Sequence, residues 1–514
     1  MKKHNTPSFI LELEISFSSA LLNRVDPKKD KHNQPVLRKA GTTEYLERQL
    51  DAATVVYNPV LNEAMRRVHI LQHDRSYLAA KKEYAACRNA DRDIPKDVTA
   101  AMNDAVSRAE FTEYDLHAYA AKVKNYLNST LGIDECQKLA SRAYSAAKKV
   151  LSGEAKKASF RRRKDPGSVE GKSDRSTLKY IGHQCIQFGK GHVYPLIVKK
   201  NDVYAREALT HRVKYVRVVK KVIRGRARYF AQLVLEGVPP MRKNLTYAAP
   251  GNKMGIDIGV STAAVVTGNR VSLTELAPDT QNDEKELRRL NRAIDRSDRA
   301  MNPDNYNPDG TVKKGRRKWT HSRRCLKLKA RRKELYRVNA ERRKTTHSAF
   351  ANYLISQSTD IRVEAMSFRG LARKSKKISV NRKNGRLRSR KRYGKAVLSR
   401  APAMLVSIID RKLGYIGLGI KKVDTVKVKA SQYDHTSGQY RKKSLSERFA
   451  RLSDGSVVQR DLYSAFLLMN TDDSLDSINR GACCTGFAYF KYLQDMEVSR
   501  IRKLSNSHLR WYAA

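Results

Sequence analysis

Gly255-Ile256-Asp257-Ile258-Gly259-Val260-Ser261-Thr262 places a single carboxylate in the middle of an apolar run, between two glycines. Ala263 to Val266, a Gly268-Asn269 dipeptide and Val271 to Leu273 follow. Apolar runs separated by a short Gly-Asn turn predict a β-hairpin, so Met254 to Leu273 reads as successive strands. A charge in such a strand costs several kcal/mol unless it is paired or coordinates a metal. The flanking glycines leave room for a backbone or a phosphate to approach closely.

Downstream, the pattern predicts a long basic helical hairpin: Glu284 to Ala300, a Pro/Gly/Asn loop at 302 to 311, then Trp319 to Ser356. A strand at Ile361 to Ala365, a helix near Pro402 to Leu413, a strand near Ile420 to Val426, a loop-rich insert from Ser431 to Ser456 and a helix from Val457 to Leu468 come next. This is a mixed α/β order.

Two further acids occupy comparable places. Glu364 follows Val363 at the end of its strand, and Asp461 interrupts the apolar face of Leu462, Ala465, Phe466 and Leu468. Roughly a hundred residues separate each acid from the next, so only the fold can unite them. On residue type alone the ordinary role of each is an ion-pair partner. If they converge, they form a hard oxygen donor set suited to Mg²⁺ or Mn²⁺, and two such ions about 4 Å apart hydrolyse phosphodiesters. Crowded carboxylates raise one another's pKa in the absence of metal.

The N-terminal half has a different rhythm. Phe9, Leu11, Leu13, Ile15 and Phe17 alternate with polar or less buried neighbours, which predicts a strand with one buried face. From Glu44 to about Ser152 the period becomes helical, through Leu46, Leu50, Ala53, Tyr57, Leu61, Met65 and Val68, with a kink expected at Pro59. Period two returns at Cys185 to Phe188, Val193 to Val198, Val213 to Val222 and Tyr229 to Leu235. The strand at 9 to 17 needs partners, and the economical reading is that it joins this later sheet, with the helical block interrupting one β domain.

The 514 residues include 104 Lys and Arg against 51 Asp and Glu, a formal charge of +53. A field of that sign calls for a polyanion, nucleic acid by default. Hydrophobic residues at 40% exclude a wholly disordered basic tail. The six Cys have no framework spacing and no CxxC pair, which suits reduced thiols. Glu12 and Glu14 break the first apolar stretch, so no signal-peptide core or membrane span is read, and a cytoplasmic, nucleoid-associated protein is expected. The charge is unevenly placed. Between Thr311 and Lys344, 16 of 34 residues are basic, and between Arg373 and Lys395, 12 of 23. Candidate nucleic-acid contacts are Arg316, Arg317, Lys318, Arg323, Arg324, Lys327, Arg331 and Arg332 in the first run and Arg373, Lys374, Lys376 and Lys377 in the second. Trp319 and Tyr393 are candidates for base stacking.

Together these stretches resemble a known family. Gly255 to Thr262 is similar to the first motif of RuvC-type nuclease domains in the TnpB proteins of insertion sequences and their relatives, the type V CRISPR effectors. Ile361 to Leu371 is similar to the second motif and Val457 to Leu468 to the third. Leu46 to Arg67, with Val56-Tyr57-Asn58, resembles the family's first recognition-lobe helix, and Leu139 to Arg163, with Ser159-Phe160-Arg161-Arg162, its exit into the wedge domain. The resemblance covers most of the chain to about residue 470.

It implies an α+β multidomain protein: an RNase H-like (RuvC) α/β nuclease domain, a split wedge β-barrel and a helical recognition domain. The implied boundaries are 1–43 and 156–248 for the wedge, 44–155 for recognition, 249–428 and 457–514 for the nuclease, and 429–456 for a nucleic-acid-loading insert. It also implies that Asp257, Glu364 and Asp461 are the catalytic metal ligands of an RNA-guided DNA endonuclease. The partners would be a guide RNA encoded near the gene and double-stranded target DNA, with Lys81, Lys82 and Arg88 among the candidate duplex readers. One departure stands out. Asp424 to Arg460 contains no Cys and one His, His435, where the family commonly carries paired CxxC motifs, so no zinc site is expected. That departure keeps open an RNA-guided DNA-binding protein with a weak or silent nuclease. An unguided RuvC-type nuclease is the other alternative, and a strand-transferring transposase ranks lower because no separate helix-turn-helix is read.

Overall fold

A computed structural model describes residues 7–18, 39–162, 167–189, 191–242, 245–281, 283–373, 393–442, 447–505 and 508–513. The chain divides into two units, Met1–Pro240 and Met241–Ala514. Among the described residues no helix is long and apolar enough to cross a membrane.

In the first unit, β1 (Ser8–Ile15) and β2 (Lys39–Ala40) precede five helices: α1 (Thr43–His73), α2 (Arg75–Asn89), α3 (Lys96–Arg108), α4 (Glu113–Tyr126) and α5 (Ile133–Leu151). Thr42 caps α1 by accepting from the Tyr45 amide. The helix continues past Pro59 to His73, because Leu46, Leu50, Ala53, Tyr57, Leu61, Ala64, Val68 and Leu71 keep one face buried throughout. Thr112 and Asp115 form a reciprocal capping box on α4. Then come β3 (Ser168–Glu170), β4 (Lys179–Tyr180), β5 (Cys185–Gln187), β6 (His192–Ile197), α6 (Val203–Ala208), β7 (Val213–Ile223) and β8 (Arg226–Glu236).

The isolated first strand finds its partners as its alternation requires. β1 lies antiparallel between β6 and β8, with Phe9 opposite Leu235, Leu11 opposite Leu233 and Ile15 opposite Leu196. On its other face Glu12 pairs with Lys221 and Glu14 with Arg228, which accounts for the acids in an otherwise apolar strand. The helices and this sheet bury a common core, from Phe9 through Leu46 and Leu139 to Leu235. Two segments distant in sequence also lock together: Asn58 exchanges two 2.9 Å hydrogen bonds with the Arg161 backbone, and the Arg161 guanidinium lies 4.3 Å over the Tyr57 ring. The sheet order is β3-β7-β8-β1-β6-β5-β4, with β2 also on β6. Among the described residues no ladder joins β3 to β4, so the expected barrel is an open sheet here. Its edge strands of two and three residues are too short to close it.

The second unit is built on β9 (Lys253–Ile258), β10 (Thr262–Thr267) and β11 (Arg270–Glu275), followed by α7 (Glu284–Met301), α8 (Arg323–Gln357), β12 (Asp360–Glu364), α9 (Phe368–Leu371), α10 (Gly394–Arg400), α11 (Pro402–Gly414), β13 (Lys421–Val423) and α12 (Thr425–Val428). Short strands β14 (Tyr433–Asp434), β15 (Gln439–Tyr440), β16 (Phe449–Arg451) and β17 (Val457–Gln459) lead to α13 (Arg460–Met469), α14 (Arg480–Lys503) and α15 (Arg510–Ala513). The five-stranded order is β11-β10-β9-β12-β13. β9 pairs antiparallel with β10 and parallel with β12, so it is the seam between a meander and a parallel ladder.

Both faces of this sheet are covered. Met254, Ile256, Ile258, Ile361 and Val363 pack on Ala351, Leu354 and Ile355 of α8 and Leu405, Ile408, Ile409 and Leu413 of α11. Ala264, Val266, Val271 and Leu273 share the other core with α13 and α14. Residues 457–459, expected in a helix, instead form β17, which pairs with β16; Gln459 then caps α13 by accepting from the Leu462 amide at 2.7 Å.

Candidate nuclease site

Asp257 projects toward α13, because its neighbours Ile256 and Ile258 belong to the core on the opposite face. Glu364 does the same, since Ile361 and Val363 share that opposite core. Val363 is in register with Ile256, and one step further along the parallel ladder sets Glu364 beside Asp257. Both therefore sit at the carboxyl ends of adjacent parallel strands, where open α/β sheets form their crevices.

The third acid is delivered by a backbone contact. A Cβ placed on Gly255 would lie 1.9 Å from the Ala465 carbonyl oxygen and 2.4 Å from the Met469 nitrogen, so only glycine lets α13 come this close. From that contact, two residues forward along β9 reach Asp257, a rise of about 6.6 Å. One turn back along α13 reaches Asp461, a rise of about 6 Å. The two displacements match, and strand and helix deliver their acids to one place. The far end of α13 is fixed by Arg362, fully buried, whose guanidinium bonds the Thr471 carbonyl, Thr471 Oγ1 at 3.1 Å and Asp473 at 2.9 Å.

Electrostatics report the convergence. Burial first, then the Asp461 and Glu364 carboxylates, hold Asp257 well above the usual carboxylate range, against a smaller opposing pull from Arg460. Burial also raises Glu364. Among the described residues neither has an ion-pair partner within 4.0 Å, whereas Asp461 has Arg448 at 3.8 Å and Arg460 at 3.9 Å. Asp461 also lies in the first turn of α13, where the helix dipole favours negative charge. An all-carboxylate set in which Asp257 is repelled by both neighbours, with no ion-pair partner within 4.0 Å at Asp257 or Glu364 among the described residues, fits a hard divalent ion such as Mg²⁺.

Arg448 and Arg460 are site residues that the sequence reading missed. Arg460 could have been found by its adjacency to Asp461. Arg448 stacks 3.6 Å from Trp511 and 4.4 Å from Tyr512, and its Nε is buried without an acceptor among the described residues.

The insert before β17 is held without thiolates. His435 is buried, its amide donates to the Tyr463 hydroxyl at 3.1 Å, and its Nδ1 lies 2.7 Å from the same oxygen. Burial holds the His435 ring below the usual histidine range and so favours its neutral form. Asp434 accepts from Ser453, and Arg480 donates to the His435 carbonyl at 2.7 Å. Cys483 is buried and Cys484 exposed.

The basic candidates are spread over the α7–α8 hairpin. Arg316, Arg317 and Lys318 are exposed in its connection, and Arg323, Arg324 and Lys327 are exposed on α8. Arg331 is engaged by Glu286 at 2.9 Å and Arg332 by Asn291 at 2.9 Å. Arg373 is exposed, whereas Lys374, Lys376 and Lys377 lie outside the described residues. On α7, Lys285, Arg288, Arg289, Arg292 and Arg296 line a groove of about 340 Å³ that the sequence reading did not single out. Trp319 stacks edge-on against Tyr306. In the first unit, Lys81 turns inward to the Leu151 carbonyl at 3.0 Å, while Lys82 and Arg88 remain exposed.

No family model matches the chain, and no curated protein does. Among solved structures, a Cas12f1–sgRNA–target DNA complex is 12% identical, with a TM-score of 0.46, over 91% of this chain and 99% of that one. A CRISPR–Cas12f ternary complex is 14% identical, with a TM-score of 0.26, over 90% and 99%. These values leave the functional reading to the site itself.

Proposed function

We propose that this chain is an RNA-guided, metal-dependent DNA endonuclease with a RuvC-type site, related to the TnpB proteins and type V effectors. The observation that carries the reading is the close packing of Ala465 on Gly255, which brings Asp461 toward Asp257 beside Glu364. In this reading the helices at 44–155 serve recognition, the sheet of the first unit is the wedge, and 249–428 with 457–514 is the nuclease.

Asp257, Glu364 and Asp461 would hold Mg²⁺ or Mn²⁺, which when bound supplies Lewis acidity for the scissile phosphate and lowers the pKa of an attacking water. In this reading the three acids share one face, and among the described residues Asp257 and Glu364 have no ion-pair partner within 4.0 Å that would compete with a metal. Arg448 and Arg460 flank Asp461 with guanidiniums suited to orienting a phosphate and offsetting charge as it develops. The exposed bases of the α7–α8 hairpin would follow the backbone of a guide RNA paired to DNA, which needs phosphate contacts rather than base reading.

The same two arginines favour a second reading. By partly neutralising Asp461 they would weaken its hold on a cation, giving an RNA-guided DNA-binding protein with a silent nuclease. One experiment separates the two. RNA copurified from cells carrying the native locus is sequenced, and matched duplex DNA is then offered with Mg²⁺. Discrete guide-bearing RNA plus cleavage that Asp257→Asn abolishes supports the nuclease; guided binding without cleavage supports the second reading; absence of a discrete RNA removes both.

A further inference from the structure

At the closed end of the basic hairpin, three side chains of a different chemistry meet. Asn302 bonds both the amide and the carbonyl of Thr320, at 2.7 and 2.8 Å, and so folds the start of α8 back onto the end of α7. This sets His321 Nδ1 2.9 Å and Cys325 Sγ 3.3 Å from Asp298 Oδ1. Among the described residues, these three form the group of His, Cys, Asp or Glu whose candidate ligand atoms all lie within 4.8 Å of one another. Cys325 is fully buried and the other two are half-buried.

A cationic group already occupies their centre. Lys329 Nζ lies 3.1 Å from Asp298 Oδ2 and 3.1 Å from each ring nitrogen of His321. The bland interpretation is a hydrogen-bonded latch completed by Lys329. Yet the arrangement stabilises positive charge where a thiol, an imidazole and a carboxylate converge. The Lys329 side chain is 25% exposed, so it can turn to solvent when another cation enters.

We propose that Asp298, His321 and Cys325 form a zinc site, with water as fourth ligand, that clamps α7 to α8. Sulfur and nitrogen donors select a borderline ion such as Zn²⁺ over Mg²⁺, so this site and the all-carboxylate cluster sort different metals. On binding, the Cys325 thiol loses its proton to solvent and the thiolate bonds the ion. The clamp holds Arg316, Arg317 and Lys318 on a rigid connection.

The test uses the full chain, stripped with a chelator and titrated with Zn²⁺ or Co²⁺ in excess Mg²⁺. About one equivalent of zinc should remain after gel filtration, and Co²⁺ should give sulfur-to-cobalt charge-transfer absorption. Cys325→Ser and His321→Ala should each lose both signals while eluting as the native chain does, whereas Asp257→Asn should keep them. Lys329→Met, which removes the competing ammonium, should bind zinc at least as tightly as the native chain. If a variant at 321 or 325 misfolds, the Lys329→Met result and the cobalt spectrum of the native chain still decide. No stoichiometric metal in the native chain, a cobalt spectrum without sulfur character, or zinc that persists in the folded Cys325→Ser chain overturns the proposal.

Discussion

Gly255 and Ala465 touch through backbone alone: the Ala465 carbonyl oxygen occupies space that any side chain at 255 would need. Gly255→Ala must push α13 off β9 and carry Asp461 with it. Overpacking of this kind costs about 1–3 kcal/mol. The expected outcome is a lower unfolding midpoint together with loss of metal-dependent DNA cleavage. Unchanged cleavage in the folded variant would show that the close approach does not position Asp461.

The raised pKa of Asp257 has a pH signature. Its folded value lies above the unfolded one, so the neutral acid contributes stability that is fully present below the ordinary carboxylate range and is lost as pH rises through the raised value. Without divalent metal, wild type should therefore lose stability over that window, and Asp257→Asn should lose less. With Mg²⁺ the order should reverse, and cleavage by Asp257→Asn should fall to background. Parallel melting curves across pH, with and without Mg²⁺, check the crossing.

The contact between His435 and Tyr463 anchors the insert. Tyr463→Phe leaves a buried amide and ring nitrogen without their partner, a cost of about 1–3 kcal/mol. Burial holds His435 below the usual histidine range, so its contribution is complete above that range and is lost as pH falls through the lowered value. Limited proteolysis at 430–456 should accelerate in Tyr463→Phe, and in wild type as pH drops below the histidine range. Proteolysis that ignores both would detach this contact from the anchoring.

At the hairpin connection, replacing Arg316, Arg317 and Lys318 together by Gln should weaken RNA binding with little regard to sequence. If each contacts a phosphate of single-stranded RNA, the salt dependence of log K should become shallower by about 2. Binding isotherms at several salt concentrations measure this directly. An unchanged slope would place the nucleic acid elsewhere.

Local pattern and tertiary arrangement divide what the sequence makes legible. The strict alternation at 9 to 17 announced β1, and its lack of a local partner pointed to the later sheet. Asp257 and Glu364 stood out because carboxylates in apolar strands are costly. Val457 to Gln459 misled, because a short β-branched run before a helical pattern reads equally as a first turn; pairing with residues 449–451 decides it. Arg448 and the insert's His435 act through partners 13 and 28 residues away, a spacing with no period. Asp298, His321 and Cys325 were masked by the basic run around them. The open sheet of the first unit depends on how short β3 and β4 are, which residue type alone does not set.

The dependence of Asp461 on a single point of contact bears on how the protein is made. As the chain emerges during synthesis, β9 and β12 can pair and bring Asp257 beside Glu364 long before residue 461 exists. Until α13 has formed and settled on Gly255, the emerging polypeptide holds two acids and lacks the third. If the three acids act together as proposed, the chain cannot cut until residue 461 has been made and seated, so the order of residues along it delays that chemistry until the fold is complete.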